Sequence, residues 1–199
     1  TGLTNNTAYN YRVFARTSSN SSPASTALTH TVSTTTVSYS SGVSGSGASQ
    51  SATKVSGVSL TLANSVSANS WFTRTGYTAT GWSGSDGGSQ THAFGALYTT
   101  ESALTLYPVW SANTLTVSYD TQGGASVSST TTQTGGTVAD PGTLTRSGYR
   151  FDGWFSASSG GTALSFPYTH GRTSDFTLYA QWTVLTYSVT FYDANTGSG

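Results

Sequence analysis

The 199-residue chain has no cysteine and no methionine, and it holds one lysine (Lys54) and one glutamate (Glu101). Without cysteine there is no disulfide and no thiolate metal site, so any small module in the chain must be held by burial alone. Only 7% of residues are charged, seven basic against seven acidic. No basic run is present to track a phosphate backbone, which argues against nucleic acid as a partner. No apolar run approaches the ~20 residues of a membrane-spanning helix, so this stretch is expected to lie outside the bilayer. A chain with so little to oxidise, and so few basic residues to cleave after, fits an exported bacterial surface protein. Thr1 is neither an initiator methionine nor the start of a signal peptide, as expected of a window from a longer chain.

What the chain does have is hydroxyls and rings. Ser and Thr make up 73 of the 199 residues, and 12 Tyr, 8 Phe and 5 Trp raise the aromatic share to 13%. Low charge with that many rings predicts a folded chain rather than a disordered one. The rings also recur. Phe72-Thr-Arg74-Thr-Gly76-Tyr77, Gly81-Trp82 and Thr105-Leu106-Tyr107-Pro108-Val109-Trp110 return as Leu144-Thr-Arg146-Ser-Gly148-Tyr149, Gly153-Trp154 and Thr177-Leu178-Tyr179-Ala180-Gln181-Trp182. Both Trp pairs are displaced by 72 residues (154 − 82 and 182 − 110), the length of a module rather than of a short solenoid turn.

The periodicity within a module is that of strands. Leu115, Val117 and Tyr119 alternate with Thr116 and Ser118, and Phe176, Leu178, Ala180 and Trp182 alternate with Thr177, Tyr179 and Gln181. Asp120 to Gly124 reads as a turn whose paired glycines accept positive φ. A short strand around Thr137 to Ala139 is stopped by Asp140-Pro141-Gly142. Strict alternation would place Phe151 and Trp154 on opposite faces, so a bulge is expected at Gly153. Helix has little support; the widest gap, between Phe155 and Phe176, is broken by Gly160, Gly161 and Pro167 and allows one short turn near Ala163 to Phe166.

Val37 and Tyr39 precede Val117 and Tyr119 by 80 residues rather than 72, so the first module carries eight extra residues, expected in Gly42 to Gly57 or in Asn64 to Ser70. Val189 and Phe191 lie 72 beyond Val117 and Tyr119 and begin a third copy. Seven residues separate each closing Trp from the next Val, so linkers are short.

The two full modules resemble the Listeria/Bacteroides repeat, the internalin B-repeat family, through Val117-Ser-Tyr119-Asp120, Gly123-Gly124, Pro141, Arg146-Ser-Gly148-Tyr149, Phe151-Asp-Gly153-Trp154 and Leu178-Tyr179-Ala180-Gln181-Trp182. The match runs over residues 114 to 183. It is weaker over 35 to 112, where the Gly-Gly turn and the Asp-Pro stop are lost. The resemblance implies a β-grasp-like fold in extracellular, multi-repeat surface proteins, and it supplies no catalytic residue. Residues 1 to 34, with Leu3 six residues before Tyr9 and then Tyr11, Val13 and Ala15 on one face, resemble the end of a fibronectin type III domain with Tyr9 as its tyrosine corner. The expected class is therefore mainly β: a partial fibronectin type III-like β-sandwich (1–34), a divergent repeat module (35–112), a second module (113–183) and the start of a third (184–199).

Function follows from that class. The chain is read as a non-enzymatic stalk, spacer or adhesion array at the bacterial cell surface, with neighbouring modules of the same long chain or copies of itself as partners, a host or surface glycan or protein as a further candidate partner, and no cofactor. Two alternatives are a self-assembling fibre completed by strand addition and a glycan-binding module. Trp82, Trp110, Trp154 and Trp182 sit at matched positions and read as core. Trp71, whose counterpart is Thr143, is the Trp that the shared core does not demand, so Trp71 and nearby Tyr77 are the candidate ligand or partner contacts. His30, His92 and His170 are too scattered for a metal and read as loop and strand-edge residues. Ser165, His170 and Asp175 could be drawn as a triad but lack a nucleophile elbow. Asp193 to Gly197 reads as a turn rather than a calcium loop. A Lys to Asn isopeptide crosslink is not expected, because the single Lys falls in the Gly/Ser-rich insertion. Asn5 and Asn20 head Asn-x-Ser/Thr sequons.

Overall fold

The computed structural model describes residues 8–11 and 28–191, with side chains from residue 31 onward. Among these residues, strands account for 42% and helix for 4%, so the protein is mainly β, as expected. The chain divides into two compact units, Thr1–Ser111 and Ala112–Gly199. In the first, β1 (Ala8–Tyr11) and β2 (Leu28–Thr31) form an antiparallel ribbon with Tyr9 opposite His30. The tyrosine-corner side chain of Tyr9, the strand positions Val13 and Ala15, the sequons at Asn5 and Asn20 and the Asp193 to Gly197 turn all lie outside the described residues.

The first module comprises β3 (Thr34–Tyr39), β4 (Gln50–Val55), β5 (Leu60–Thr61), α1 (Ser65–Trp71), β6 (Tyr77–Ser83), β7 (Leu97–Tyr98) and β8 (Leu104–Ala112). Its four-stranded sheet has the order β4-β3-β8-β6, with β3 antiparallel to β4 and parallel to β8, and β5 pairs with β7 apart from it. The second module repeats the plan with β9 (Thr114–Asp120), β10 (Thr130–Gln133), β11 (Thr137–Val138), β12 (Tyr149–Phe155), β13 (Tyr168–Thr169) and β14 (Phe176–Val184). Its sheet order is β10-β9-β14-β12, with β9 and β14 parallel, and β11 pairs with β13. The parallel central pair places one face of each middle strand against the core: Val37, Leu106, Val117, Leu178 and Ala180 are all buried.

Each core is organised around one indole. Trp82 is 0% exposed and Trp154 2%. Trp82 Nε1 donates to Ala63 O (2.8 Å) and Trp154 Nε1 to Gly142 O (3.1 Å), so the one polar atom of each buried ring is satisfied. Tyr39 lies 4.8 Å from Trp82 and Tyr119 lies 5.1 Å from Trp154, centroid to centroid. Burial raises the Tyr39 phenol above its ordinary pKa, against the opposing hydrogen bond from Ala63 N–H. Trp110 and Trp182 pack against the same clusters but remain partly exposed, so the core reading holds fully only for the other two.

The bulge falls where alternation fails. Phe151 pairs with Trp182 and Gly153 with Gln181, which skips Asp152 and turns both Phe151 and Trp154 toward the core. Gly153 takes φ +128, a conformation that glycine enters without Cβ strain.

Three expectations are corrected. The eight extra residues are spread over three connections: the offset is 80 at Val37/Val117, 78 at Ala52/Thr130, 76 at Thr61/Thr137 and 72 at Trp82/Trp154. The largest share supports a helix, α1, that the periodicity does not show. Asn64 caps it by accepting from Ser67 N–H (2.9 Å), and Asn69 fastens it to β6 by accepting from Ala79 N–H (3.0 Å). Seven residues make barely two turns and only Ala68 is buried, so there is no apolar stripe to read and tertiary contacts hold the helix. In the Asp120 to Gly124 turn, positive φ falls on Gln122 (+46) and Gly123 (+90) rather than on the glycine pair, and Gly124 N–H closes the turn on Thr121 O at 3.0 Å. Gly124 serves a different purpose, since a Cβ there would overlap the Trp182 ring.

Candidate functional site

The most conspicuous repeated feature on the modules is the Arg-x-Gly-Tyr corner. Arg74 O accepts from Tyr77 N–H (2.9 Å) and Arg146 O from Tyr149 N–H (3.1 Å), with φ +78 at both Gly76 and Gly148. That is a type II turn, which needs glycine at its third position. The turn folds each guanidinium back over the ring that follows: Arg74 lies 3.7 Å from the Tyr77 centroid and Arg146 lies 3.7 Å from that of Tyr149. In the second module Arg146 Nη1 donates to Gln122 O (2.8 Å) and Trp182 Nε1 to Thr121 O (2.9 Å), so the corner and the closing Trp both grip the loop after β9.

The two expected contact residues, Trp71 and Tyr77, each pack against neighbours within the first module. Trp71, at the end of α1, packs its partly buried ring 5.5 Å from Tyr39 and 6.4 Å from Phe72. Tyr77, also partly exposed, lies beneath Arg74.

His170 lies in the connection just after β13, as a loop residue, but it is buried. It is 3% exposed, packs 4.8 Å from Phe176, accepts at Nδ1 from Arg172 N–H (3.1 Å) and places Nε2 3.3 Å from Thr132 Oγ1. Burial, then the nearby Arg172 charge, lowers its pKa from the ordinary 6.5, which keeps the imidazole neutral. Asp175 accepts instead from Thr116 N–H (2.7 Å), so Ser165, His170 and Asp175 are not assembled as a triad. No group of three or more His, Asp or Glu able to hold a metal occurs among the described residues.

Lys54 departs furthest from expectation. It sits on β4 rather than in an insertion loop, is 1% exposed, and donates to Glu101 Oε1 at 2.7 Å. Its counterpart by strand register is Thr132, the partner of His170. The two modules therefore place different polar pairs at one position. Sequence reasoning missed both because strand β10 gives no alternation to read and β4 alternates only Ala and Lys with polar residues. The hydrogen bond from Lys54, then that from Gly57 N–H (3.1 Å), holds the Glu101 carboxyl below its usual range.

The two successive modules thus share one topology, one indole-centred core and one Arg-x-Gly-Tyr corner. The sequence matches the Listeria-Bacteroides repeat domain over residues 36–109 and 116–181. The chain belongs to this repeat family. It is 35% identical over 95 residues to a protein of Evansella cellulosilytica described as a Gly-rich membrane protein, over 48% of this chain and 11% of that one. It is also 41% identical over 54 residues to Internalin H of Listeria monocytogenes, over 27% of this chain and 10% of the internalin. A second Evansella cellulosilytica membrane protein matches at 35% over 92 residues, 46% of this chain and 14% of that protein. The chain thus spans only a small part of the relatives it matches. No helix among the described residues is long and apolar enough to cross a membrane.

Proposed function

We propose that this chain is a non-enzymatic, structural repeat segment of a bacterial cell-surface protein, serving as a stalk or spacer or as part of an adhesion array. The observation that carries the reading is the tandem recurrence of one mixed sheet, β4-β3-β8-β6 and then β10-β9-β14-β12, each around its own buried Trp. Membership of the repeat family, the internalin relative and two relatives named as membrane proteins support placement at the cell surface. A parallel central pair flanked by antiparallel strands supports the β-grasp-like assignment. Electron microscopy of the intact protein, with antibody labelling of unpermeabilised cells, tests the proposal. A surface-labelled, extended array is expected; an intracellular, compact enzyme would end it.

Strand addition between copies is the second reading that an observation favours. Val189 and Phe191, 72 residues beyond Val117 and Tyr119, stand 74% and 90% exposed, whereas Val117 is fully buried. The segment holds no strand of its own among the described residues, but an apolar stretch left open becomes a template for pairing once it is extended. A further module of the same chain, or a neighbouring copy, would bury these residues, and size-exclusion chromatography of the intact protein distinguishes the two by whether the species is monomeric. A glycan or protein contact through Trp71 and Tyr77 stays a weaker proposal, supported only by their partial exposure.

A further inference from the structure

Beside the Arg-x-Gly-Tyr corner, each module has a shallow surface cleft. In the second it has a volume of about 220 Å³ and is lined by Gln122, Arg146, Ser158, Ser159, Gln181 and Trp182. In the first it has about 260 Å³. Five of the six lining positions coincide at the module offset of 72: Arg74, Asp86, Gly87, Val109 and Trp110 stand where Arg146, Ser158, Ser159, Gln181 and Trp182 stand. Recurrence of the hollow follows from the repeat. The chemistry of its walls does not.

In the second module the wall is preorganised. Gln122 Nε2 donates to Ser158 O (2.8 Å) and Ala180 O (2.7 Å), and Gln181 Nε2 donates to Ala157 O (3.0 Å) and Gly160 O (2.8 Å). Both hydrogens of each amide are spent on backbone, which leaves the amide oxygens as fixed acceptors. Arg146 lies over the Tyr149 ring and is tied through Nη1 to Gln122 O, and among the described residues it has no carboxylate partner. The Trp182 ring is anchored by its Nε1 bond to Thr121 O. Rigid acceptors, a planar donor with no carboxylate partner and a fixed indole wall together fit a small ligand that both donates and accepts hydrogen bonds and has an apolar face.

We propose that these clefts bind neutral sugar rings, with the indole of Trp182 or Trp110 stacked on the C–H face and Arg146 or Arg74 donating to ring hydroxyls. The acidic alternative is disfavoured by the first cleft, where Asp86 lines the wall. A carboxylate there accepts from sugar hydroxyls and repels a carboxylated sugar. Both volumes fall below the ~300 Å³ at which drug-sized pockets begin, so each cleft takes one ring. So small and open a contact binds weakly, on the order of millimolar for one site, and gains only when two clefts engage one polymer. This proposal does not rest on the stalk reading.

The test is a two-dimensional NMR titration of the 199-residue chain with the methyl glycosides of glucose, galactose, mannose and N-acetylglucosamine. Saturable shifts of the Trp182 and Trp110 indole N–H signals are expected with at least one of them, with Trp154 unmoved. Gln181→Leu and Arg146→Lys should each weaken binding at the second cleft about five-fold or more, with the first cleft unchanged and the Trp154 signal reporting an intact fold. Absence of saturable shifts for all four sugars overturns the proposal. So do shifts centred on Trp71 instead, equal binding by both variants, or binding of glucuronate alone.

Discussion

Lys54 and Glu101, the only lysine and the only glutamate in the chain, are bonded to each other, Nζ to Oε1 at 2.7 Å, with the ammonium 1% exposed and the carboxylate 48% exposed. The asymmetry sets what each partner does. Removing Glu101 strands a buried charge, whereas removing both groups leaves nothing to compensate. Glu101→Gln should therefore lower the melting temperature of the first module more than the double variant Lys54→Met/Glu101→Gln does, and should leave the second module unchanged. A double-mutant cycle in thermal denaturation measures the coupling. Equal losses in the single and double variants would show that the pair contributes no more than its packing.

Acid should weaken both modules, through different groups. The folded-state pKa of His170 lies below 6.5, so the unfolded chain binds the extra proton first. The contribution is complete above 6.5 and is lost as pH falls from there toward the folded value, because protonating Nδ1 breaks the bond from Arg172 N–H. Glu101 and Asp152 also have lowered values, Asp152 chiefly through the hydrogen bond from Thr183 Oγ1 (2.6 Å) and then Arg150. Their contributions hold above the ordinary carboxylate range and are lost at lower pH. Denaturant titrations should show the second module weakening first just below pH 6.5, and His170→Gln should flatten that part of the curve. A wild-type slope unchanged by the substitution would refute the assignment.

Two glycines should fail for different reasons. Alanine at Gly148 meets no atom within 4 Å but must adopt φ +78, at a cost of ~1–2 kcal/mol. Alanine at Gly124 would drive its Cβ into the Trp182 ring, an overpacking cost of ~1–3 kcal/mol. The two costs overlap in size, so stability alone will not separate them. The Trp182 indole N–H resonance will: it should move in Gly124→Ala and stay in place in Gly148→Ala.

Trp154→Ala should cost ~3–5 kcal/mol, a large share of the ~5–15 kcal/mol that stabilises a small domain. The Nε1 bond to Gly142 O and the ring contacts to Tyr119 and Phe151 are lost with it. Because the first module has its own core around Trp82, melting should split into two transitions, with only the lower one belonging to the altered module. A single cooperative loss of both modules would contradict that.

Much of the second module was legible in its residues. Alternation located β9 and β14, the parity conflict between Phe151 and Trp154 located the bulge, and the shared offset identified Trp82 and Trp154 as equivalent core residues. Each of these is a one-dimensional signal: a period, a break in a period, or a repeat. The Arg-x-Gly-Tyr motif was visible as a pattern, but its geometry, a type II turn carrying a cation over a ring, was not.

The sequence by itself determined that the chain is β-rich, repeats at 72 residues, has no disulfide and carries the motifs of the Listeria-Bacteroides repeat, because these are properties of residue order and composition. Only the tertiary structure decided where the polar side chains go. Lys54 is buried because register places it inward on β4, and Glu101 meets it from 47 residues away. His170 is buried because β13 leads it under Phe176, and α1 exists because Ala68, Asn69 and Trp71 find partners across the module. Gln122 and Gln181 come together with Arg146 and Trp182 only once loop and strand are folded against one another. Contacts of that kind join distant positions with no periodic trace, and the physics that selects them, satisfaction of buried donors and acceptors, acts on the folded chain rather than on its order.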